Sequence, residues 1–226
     1  MNGDVRPTAW TVSFDAGEVT LEGDLTLPLD AVGVVLFAHG SGSSRFSSRN
    51  RFVARELNDA GMGTLLIDLL SRGEEAADQR TAHLRFDIGL LADRLEAAIR
   101  WLCDDSPASG LPIGLFGAST GGGAALAAAA RMQDHVRAVV SRGGRPDLAG
   151  QALPHVRAPT LLIVGGDDAQ VIGMNRDAMA RMRPDAVVRL EIVPGAGHLF
   201  EEPGALEAVA RLAGDWFGTY LDEQVL

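Results

Sequence analysis

Three separated residues in this chain carry chemistry as a set: Ser119, Asp168 and His198. A serine hydroxyl is a poor nucleophile at neutral pH. It becomes effective beside an imidazole that takes its proton, provided a carboxylate fixes the imidazole's tautomer and stabilises its charge. Ser119 is the centre of Gly117-Ala118-Ser119-Thr120-Gly121, a G-x-S-x-G pattern between an apolar run and an alanine-rich run. Such a turn holds its central residue at an unfavourable backbone angle. Glycines two before and two after it let strand and helix approach without Cβ clashes. The serine is pushed out at the C-terminal end of its strand, and the N-terminus of the following helix offers free N–H groups to a developing negative charge. Asp168 ends Gly165-Gly166-Asp167-Asp168, and His198 ends Gly195-Ala196-Gly197-His198. Serine, then acid, then histidine is the chain order this strand-turn-helix arrangement uses.

Other residues compete for these roles. Asp167 neighbours Asp168; Val171, three residues beyond Asp168 as a buried anchor, favours Asp168. His39 precedes a glycine at a strand end and reads as a structural residue shaping a loop, while His83, His135 and His155 stand at element edges. Asp68 also ends a strand, but one too early in the chain, so it reads as a structural hydrogen-bonder. Arg45, Arg49, Arg72, Arg142 and Arg145 fall on loops or helix starts at C-terminal strand ends. Two readings stay open for them. Some, with Arg142 and Arg45 foremost, meet the carboxylate of an anionic substrate; or they pair with nearby Asp147, Glu74 and Glu75. Glu201 and Glu202 read as loop and cap residues.

The elements that must position these groups follow from periodicity. Residues 8–14 and 19–27 alternate and form an antiparallel hairpin. Apolar runs at 33–38, 64–69 and 113–116 read as strands buried on both faces, and further strands are read at 136–141, 159–164 and 186–193. Helical patterns span about 49–60, 84–102, 124–130, 173–182 and 202–220, with Pro203 in the first turn of the last. Residues 71–82 read as a polar connection. A hairpin followed by alternating strand and helix implies a mostly parallel, doubly wound sheet of about eight strands. Ligands of such sheets sit beyond the C-terminal strand ends. His39-Gly40-Ser41, Ser119, Arg142, Asp168 and His198 all lie there.

Composition sets the outer limits. At 226 residues the chain is expected to form one domain over 1–226. A net charge of −10 argues against nucleic acid as a partner. All 20 basic residues are arginine, which removes lysine chemistry, and Cys103, the sole cysteine, leaves no disulfide or cysteine-based metal site within the chain. The first 30 residues lack a signal-peptide pattern and no run is long enough to span a bilayer, so a cytoplasmic protein without membrane contact is expected.

His39-Gly40-Ser41-Gly42, the serine pentapeptide, Gly165-Gly166-Asp167-Asp168 and Gly197-His198 together resemble an α/β-hydrolase over nearly the whole chain. Small size and short connections resemble the dienelactone hydrolase-like branch of that superfamily. The resemblance implies Ser119, Asp168 and His198 as a catalytic triad. It implies the backbone N–H groups of Ser41 and Thr120 as the oxyanion hole. It implies no cofactor or metal. Dienelactone hydrolases carry cysteine at the nucleophile position; the serine here points to small esters or lactones as the substrate class. Residues 142–158, where many relatives insert a cap, are too few for one, so a site that is open, or covered only by short loops such as 71–82, is expected. Rival readings are an acyltransferase or amidase using the same acyl-enzyme, and a non-catalytic ligand-binding protein on this scaffold. Self-association is left open.

Overall fold

The computed structural model describes residues 7–222. Two long strands, β1 (Thr8–Ala16) and β2 (Val19–Leu27), form the hairpin, with Thr8 opposite Leu27 and Ala16 opposite Val19. On β2, Leu21 and Leu25 turn inward, as their shared parity requires. Six further strands follow: β3 (Val34–Ala38), β4 (Gly63–Ile67), β5 (Ile113–Ala118), β6 (Val136–Arg142), β7 (Thr160–Gly165) and β8 (Val188–Val193). The eight-stranded sheet runs β1-β2-β4-β3-β5-β6-β7-β8; only the β1–β2 and β2–β4 pairs are antiparallel. β3, β4, β5 and β7 are buried at every position, which is why they read as unbroken apolar runs rather than alternating ones.

Helices cover both faces. On one side α1 (Ser48–Asp59) and α6 (Ala205–Leu221) pack over Val35, Phe37, Phe116 and Val140. On the other, α3 (Ile88–Asp104), α4 (Thr120–Arg131) and α5 (Ala169–Arg181) enclose the larger core, with Leu36, Leu65 and Leu115 at its centre. The sheet therefore follows the expected α/β-hydrolase layout, hairpin included. Residues 142–158 hold a 3-10 segment, Pro146–His155, and no inserted cap. Among the described residues no helix is long and apolar enough to cross a membrane.

Several boundaries differ from the sequence reading. Residues expected as a polar connection contain α2 (Arg72–Thr81). Its start is a capping box: Ser71 accepts the Glu74 N–H, and Glu74 accepts the Ser71 N–H at 2.8 Å. The long helix expected from Leu84 is a 3-10 turn (Leu84–Phe86) and then α3, which Asp87 caps through the Leu90 N–H. Helix α5 begins at Ala169, because Asp168 caps it. Pro203 precedes α6 rather than opening it, since left-handed Gly204 is the N-cap.

Candidate active site

Ser119 occupies the sharp turn between β5 and α4 with φ 52° and ψ −121°, a region non-glycine residues rarely enter. The turn is fixed from several directions. Its N–H donates to the Arg142 carbonyl at 3.2 Å, and its own carbonyl accepts from Gly122 and Arg145, each at 3.0 Å. A Cβ on Gly117 would collide with the Gly121–Gly122 backbone, and one on Gly121 with the carbonyls of Ala38 and His39. Those two glycines are thus what lets strand, helix and the β3 end converge on Ser119.

Asp168 and His198 meet across the β7 and β8 ends. His198 Nδ1 lies 2.7 Å from Asp168 Oδ2. The other oxygen, Oδ1, accepts the Val171 N–H at 3.4 Å, so one carboxylate caps α5 and holds the imidazole. Val171 is buried, as the anchor reading supposed. Asp167 is exposed and only its backbone is engaged, donating to the Ala196 carbonyl at 3.0 Å. The His198 loop is shaped from below by Glu202, which accepts the Gly197 N–H at 3.0 Å.

The loop after β3 closes over the serine: a Cβ on Gly40 would lie 3.1 Å from that of Ser119. Among the described residues neither the Ser41 nor the Thr120 N–H has a protein acceptor. His39 is buried beneath this loop. One ring nitrogen, Nδ1, lies 2.9 Å from the Gly40 carbonyl, and Nε2 lies 3.1 Å from the Leu69 nitrogen. Those partners require a neutral ring that donates from Nδ1 and accepts at Nε2. Burial pushes its pKa down, against the opposing pull of the Gly40 carbonyl. His39 is therefore a brace between β3 and β4, not a proton carrier.

The arginines divide sharply. Arg45 does not face a substrate. Its backbone N–H and guanidinium hold Asp68, its Nη2 reaches Glu22 at 2.7 Å, and its Nε lies 3.7 Å from Asp24. Burial opposes its charge, but Glu22 and Asp68 outweigh that and raise its pKa. Three carboxylates surround one guanidinium, so of the two readings left open for Arg45 the ion-paired one describes it, as a tie between the post-β3 loop, β2 and β4. Asp68 is the structural hydrogen-bonder expected. Arg72 pairs with Glu22, Arg49 with Glu201 and Arg145 with Asp147. Arg142 alone of the five is buried with no carboxylate partner among the described residues.

Beside the loop runs a groove of about 560 Å³, between Gly42–Ser47 on one wall and Arg72, Glu75 and Gln79 of α2 on the other. Sequence reasoning placed residues 71–82 at the site but as a loop; the Ser71-x-x-Glu74 spacing was the signal for the helix.

The sheet order, the strained serine turn and the histidine–aspartate pair define an α/β-hydrolase. Residues 21–220 match the dienelactone hydrolase family, and the chain belongs to that family. A dienelactone hydrolase from Anabaena variabilis is 61% identical, with a TM-score of 0.92 over 95% of this chain and 99% of its own. An esterase domain from Rhodothermus marinus shares the fold at 21% identity, with a TM-score of 0.74 over 95% of this chain and 100% of that one. Two Mycobacterium tuberculosis proteins, provisionally named phosphoribosyl transferases, are 56% identical over 210 residues. That is 93% of this chain and 46% of theirs, so the chain spans under half the length of these curated relatives.

Proposed function

We propose that the protein is a serine hydrolase that cleaves small carboxylic esters or lactones through an acyl-enzyme on Ser119. The observation that carries this reading is Ser119 itself, held at a strained positive φ where β5 meets α4. Strain of about 1–3 kcal/mol persists only where the surroundings impose it. Here its product is a hydroxyl presented at the helix N-terminus.

In the proposed cycle His198 Nε2 takes the Ser119 proton as Oγ attacks the carbonyl carbon. Asp168 holds Nδ1–H and stabilises the imidazolium, without taking the proton itself. The N–H groups of Ser41 and Thr120 receive the oxyanion. Collapse breaks the bond to the leaving alcohol, which takes the proton from His198. Water then repeats the sequence and frees the acid. A lactone follows the same steps, with the leaving alcohol tethered to the acyl group. The phosphoribosyl transferase name belongs to proteins more than twice as long as the matched segment. An activated serine with a histidine–aspartate pair supplies acyl transfer, not displacement at a ribosyl carbon.

The test combines a fluorophosphonate probe with a panel of 4-nitrophenyl esters, lactones and amides. Labelling of wild type and not of Ser119→Ala, with ester turnover lost in the variant, supports the reading. Labelling without turnover of any substrate points to a binding protein. Products formed with an added alcohol or amine in place of water point to an acyltransferase.

A further inference from the structure

The sheet has two edges, and they are built differently. Strand β8 forms one of them with six residues, and Arg189 and Glu191 pair along it. Charged side chains on an edge discourage the addition of a further strand. Strand β1 forms the other edge with nine residues. It holds neither proline nor lysine, and Asp15 is its sole ionisable residue. Nine residues at about 3.4 Å each make an edge about 30 Å long. A two-residue turn, Gly17-Glu18, joins β1 to β2, with Ala16 opposite Val19. Residues flanking such a turn exchange hydrogen bonds, and bonded positions recur at every second residue. Ala16, Phe14, Val12, Trp10 and Thr8 therefore bond to β2. The N–H and C=O groups of Ala9, Thr11, Ser13 and Asp15 point away from the sheet, and no described residue meets them.

The side chains of β1 complement themselves when the strand is reversed. With Val12 opposite Val12 of a second copy, the whole of Thr8–Ala16 pairs; moving the centre by one residue shortens the overlap to 8–14 or 10–16. In the centred register Thr11 meets Ser13 and Ala9 meets Asp15, which are the residues whose backbone groups face outward. Trp10 meets Phe14. Phe14 is buried and stacks on Trp101 of α3, with ring centres 5.5 Å apart. Trp10 shares that face of the strand by parity, and it is 37% exposed. Reversal places each Trp10 beside the other copy's Phe14, which extends the stack to a third ring. On the opposite face Ala9 and Arg55 line a groove of about 360 Å³. Arg51 in that groove pairs with Asp24. Neither Arg55 nor Asp15 has an ion-pair partner among the described residues. Asp15 of the second copy, standing opposite Ala9, arrives at the rim of the groove that holds this free cation.

We propose that β1 is a self-association surface: a second copy of this chain adds its own β1 antiparallel to it, about a two-fold axis through the Val12 pair, so that one sheet runs through both subunits. The contact uses the same patch on each copy and closes at two. Each outward-facing pair, Ala9 with Asp15 and Thr11 with Ser13, occurs twice by symmetry and exchanges two hydrogen bonds. The paired aromatic rings add to these. An extended segment of another protein would meet the same backbone groups, but only the reversed strand itself supplies the matching Phe14 for Trp10 and the Asp15 for Arg55. Strands β2, β4 and β3 separate β1 from β5 and the serine turn. Association therefore leaves the candidate active site open, and turnover per chain does not depend on it.

Sedimentation equilibrium of the full chain, from about 1 to about 200 µM, tests this. A single strand pair is a small interface, so the mass should rise from one chain to two with a dissociation constant in the micromolar range. Ser13→Pro removes an N–H that only a second copy uses and leaves the β1–β2 ladder intact. It should raise the dissociation constant about tenfold or more, with the melting temperature of the monomer unchanged. Thr11→Lys, which places a charge on the edge, should do the same and stands in if the proline variant fails to fold. Register is read by cross-linking in a Cys103→Ser background. Mild oxidation should link two copies of Val12→Cys, which face each other across the axis, and link Thr11→Cys poorly, because that residue faces Ser13. A chain that stays monomeric over the whole range overturns the proposal. So does a dimer that survives both Ser13→Pro and Thr11→Lys, since its interface lies elsewhere, or a mass that climbs past two chains. Linking of Thr11→Cys as readily as Val12→Cys overturns the register and with it the Trp10–Phe14 contact.

Discussion

In the proposed cycle Ser119 and Asp168 act through position, so substitutions that keep shape and remove one function separate their roles. Alanine fits the turn at 119, where glycines already clear the space around it. Ser119→Ala should fold normally and show no ester turnover, measured by circular dichroism and 4-nitrophenol release. Asp168→Asn keeps the cap on α5 but offers an amide to His198, disfavouring the tautomer that leaves Nε2 free. A loss of roughly 10⁴ in kcat is expected, the scale known for such a change in a serine protease triad. Asp167→Asn should stay within about twofold of wild type, since its side chain faces solvent; the reverse ranking of the two variants would exchange the assignment. His39 carries a different burden. Its folded pKa lies below that of an unfolded imidazole, so the unfolded chain binds the proton first. The His39 contribution to stability is therefore complete above about pH 6.5. It declines as pH falls below that value, until the folded state also takes the proton. Urea titrations between pH 4 and 8 should show this decline, shallower in His39→Gln. These residues were legible because glycine and polar punctuation after an apolar run marks a strand end. Arg142 was only half legible: its place was readable, but whether a carboxylate lay within reach depends on α1 and the His198 loop, remote in sequence.

At the scale of elements, the site is a meeting of strand ends held by ties that the sequence disguises. Arg45 joins the loop after β3 to Glu22 and Asp24 of β2 and to Asp68 after β4. Arg45→Met would leave Asp68 without its cation, while Arg72 still holds Glu22 and Arg51 still holds Asp24. Breaking a buried pair in this way costs about 3 kcal/mol, the lower end of the usual range because the partners stay partly exposed. The melting temperature should drop by about 10 °C, and ester kcat should fall as the loop carrying Ser41 loosens. A variant as stable and active as wild type would show that the loop holds itself. Helix α2 depends on its first turn. Ser71→Ala removes a cap worth about 1 kcal/mol and should speed amide hydrogen exchange across α2 while leaving α3 unaffected. The strands were readable because burial on both faces demands continuous apolar residues. α2 was not, because a polar helix on the rim has little apolar stripe to show. Its buried polar member is Asp78, which accepts from Leu84 and Arg85 backbone N–H groups and the Arg85 guanidinium. Burial opposes that carboxylate's charge, but these donors prevail and hold its pKa below the ordinary value. A charged core contact of this kind is invisible to hydrophobic periodicity.

The whole molecule imposes a field on any charged substrate. A charge of −10 repels any anion approaching the surface. For a radius of about 20 Å the unscreened repulsion at contact is about 2 kcal/mol in water. Salt reduces it: the Debye length falls from about 30 Å at 0.01 M to about 8 Å at 0.15 M. Raising salt over that range should increase kcat/KM for a monoanionic ester by about two- to fourfold and leave its neutral methyl ester unchanged. The ratio of anionic to neutral kcat/KM should rise with salt. The missing cap sharpens this expectation, because an open site exposes the incoming substrate to the field of the whole surface. If the anionic ester instead slows as salt rises, the surface charge is arranged away from the site. Stopped-flow or initial-rate measurements with sodium chloride as the only variable distinguish the two outcomes.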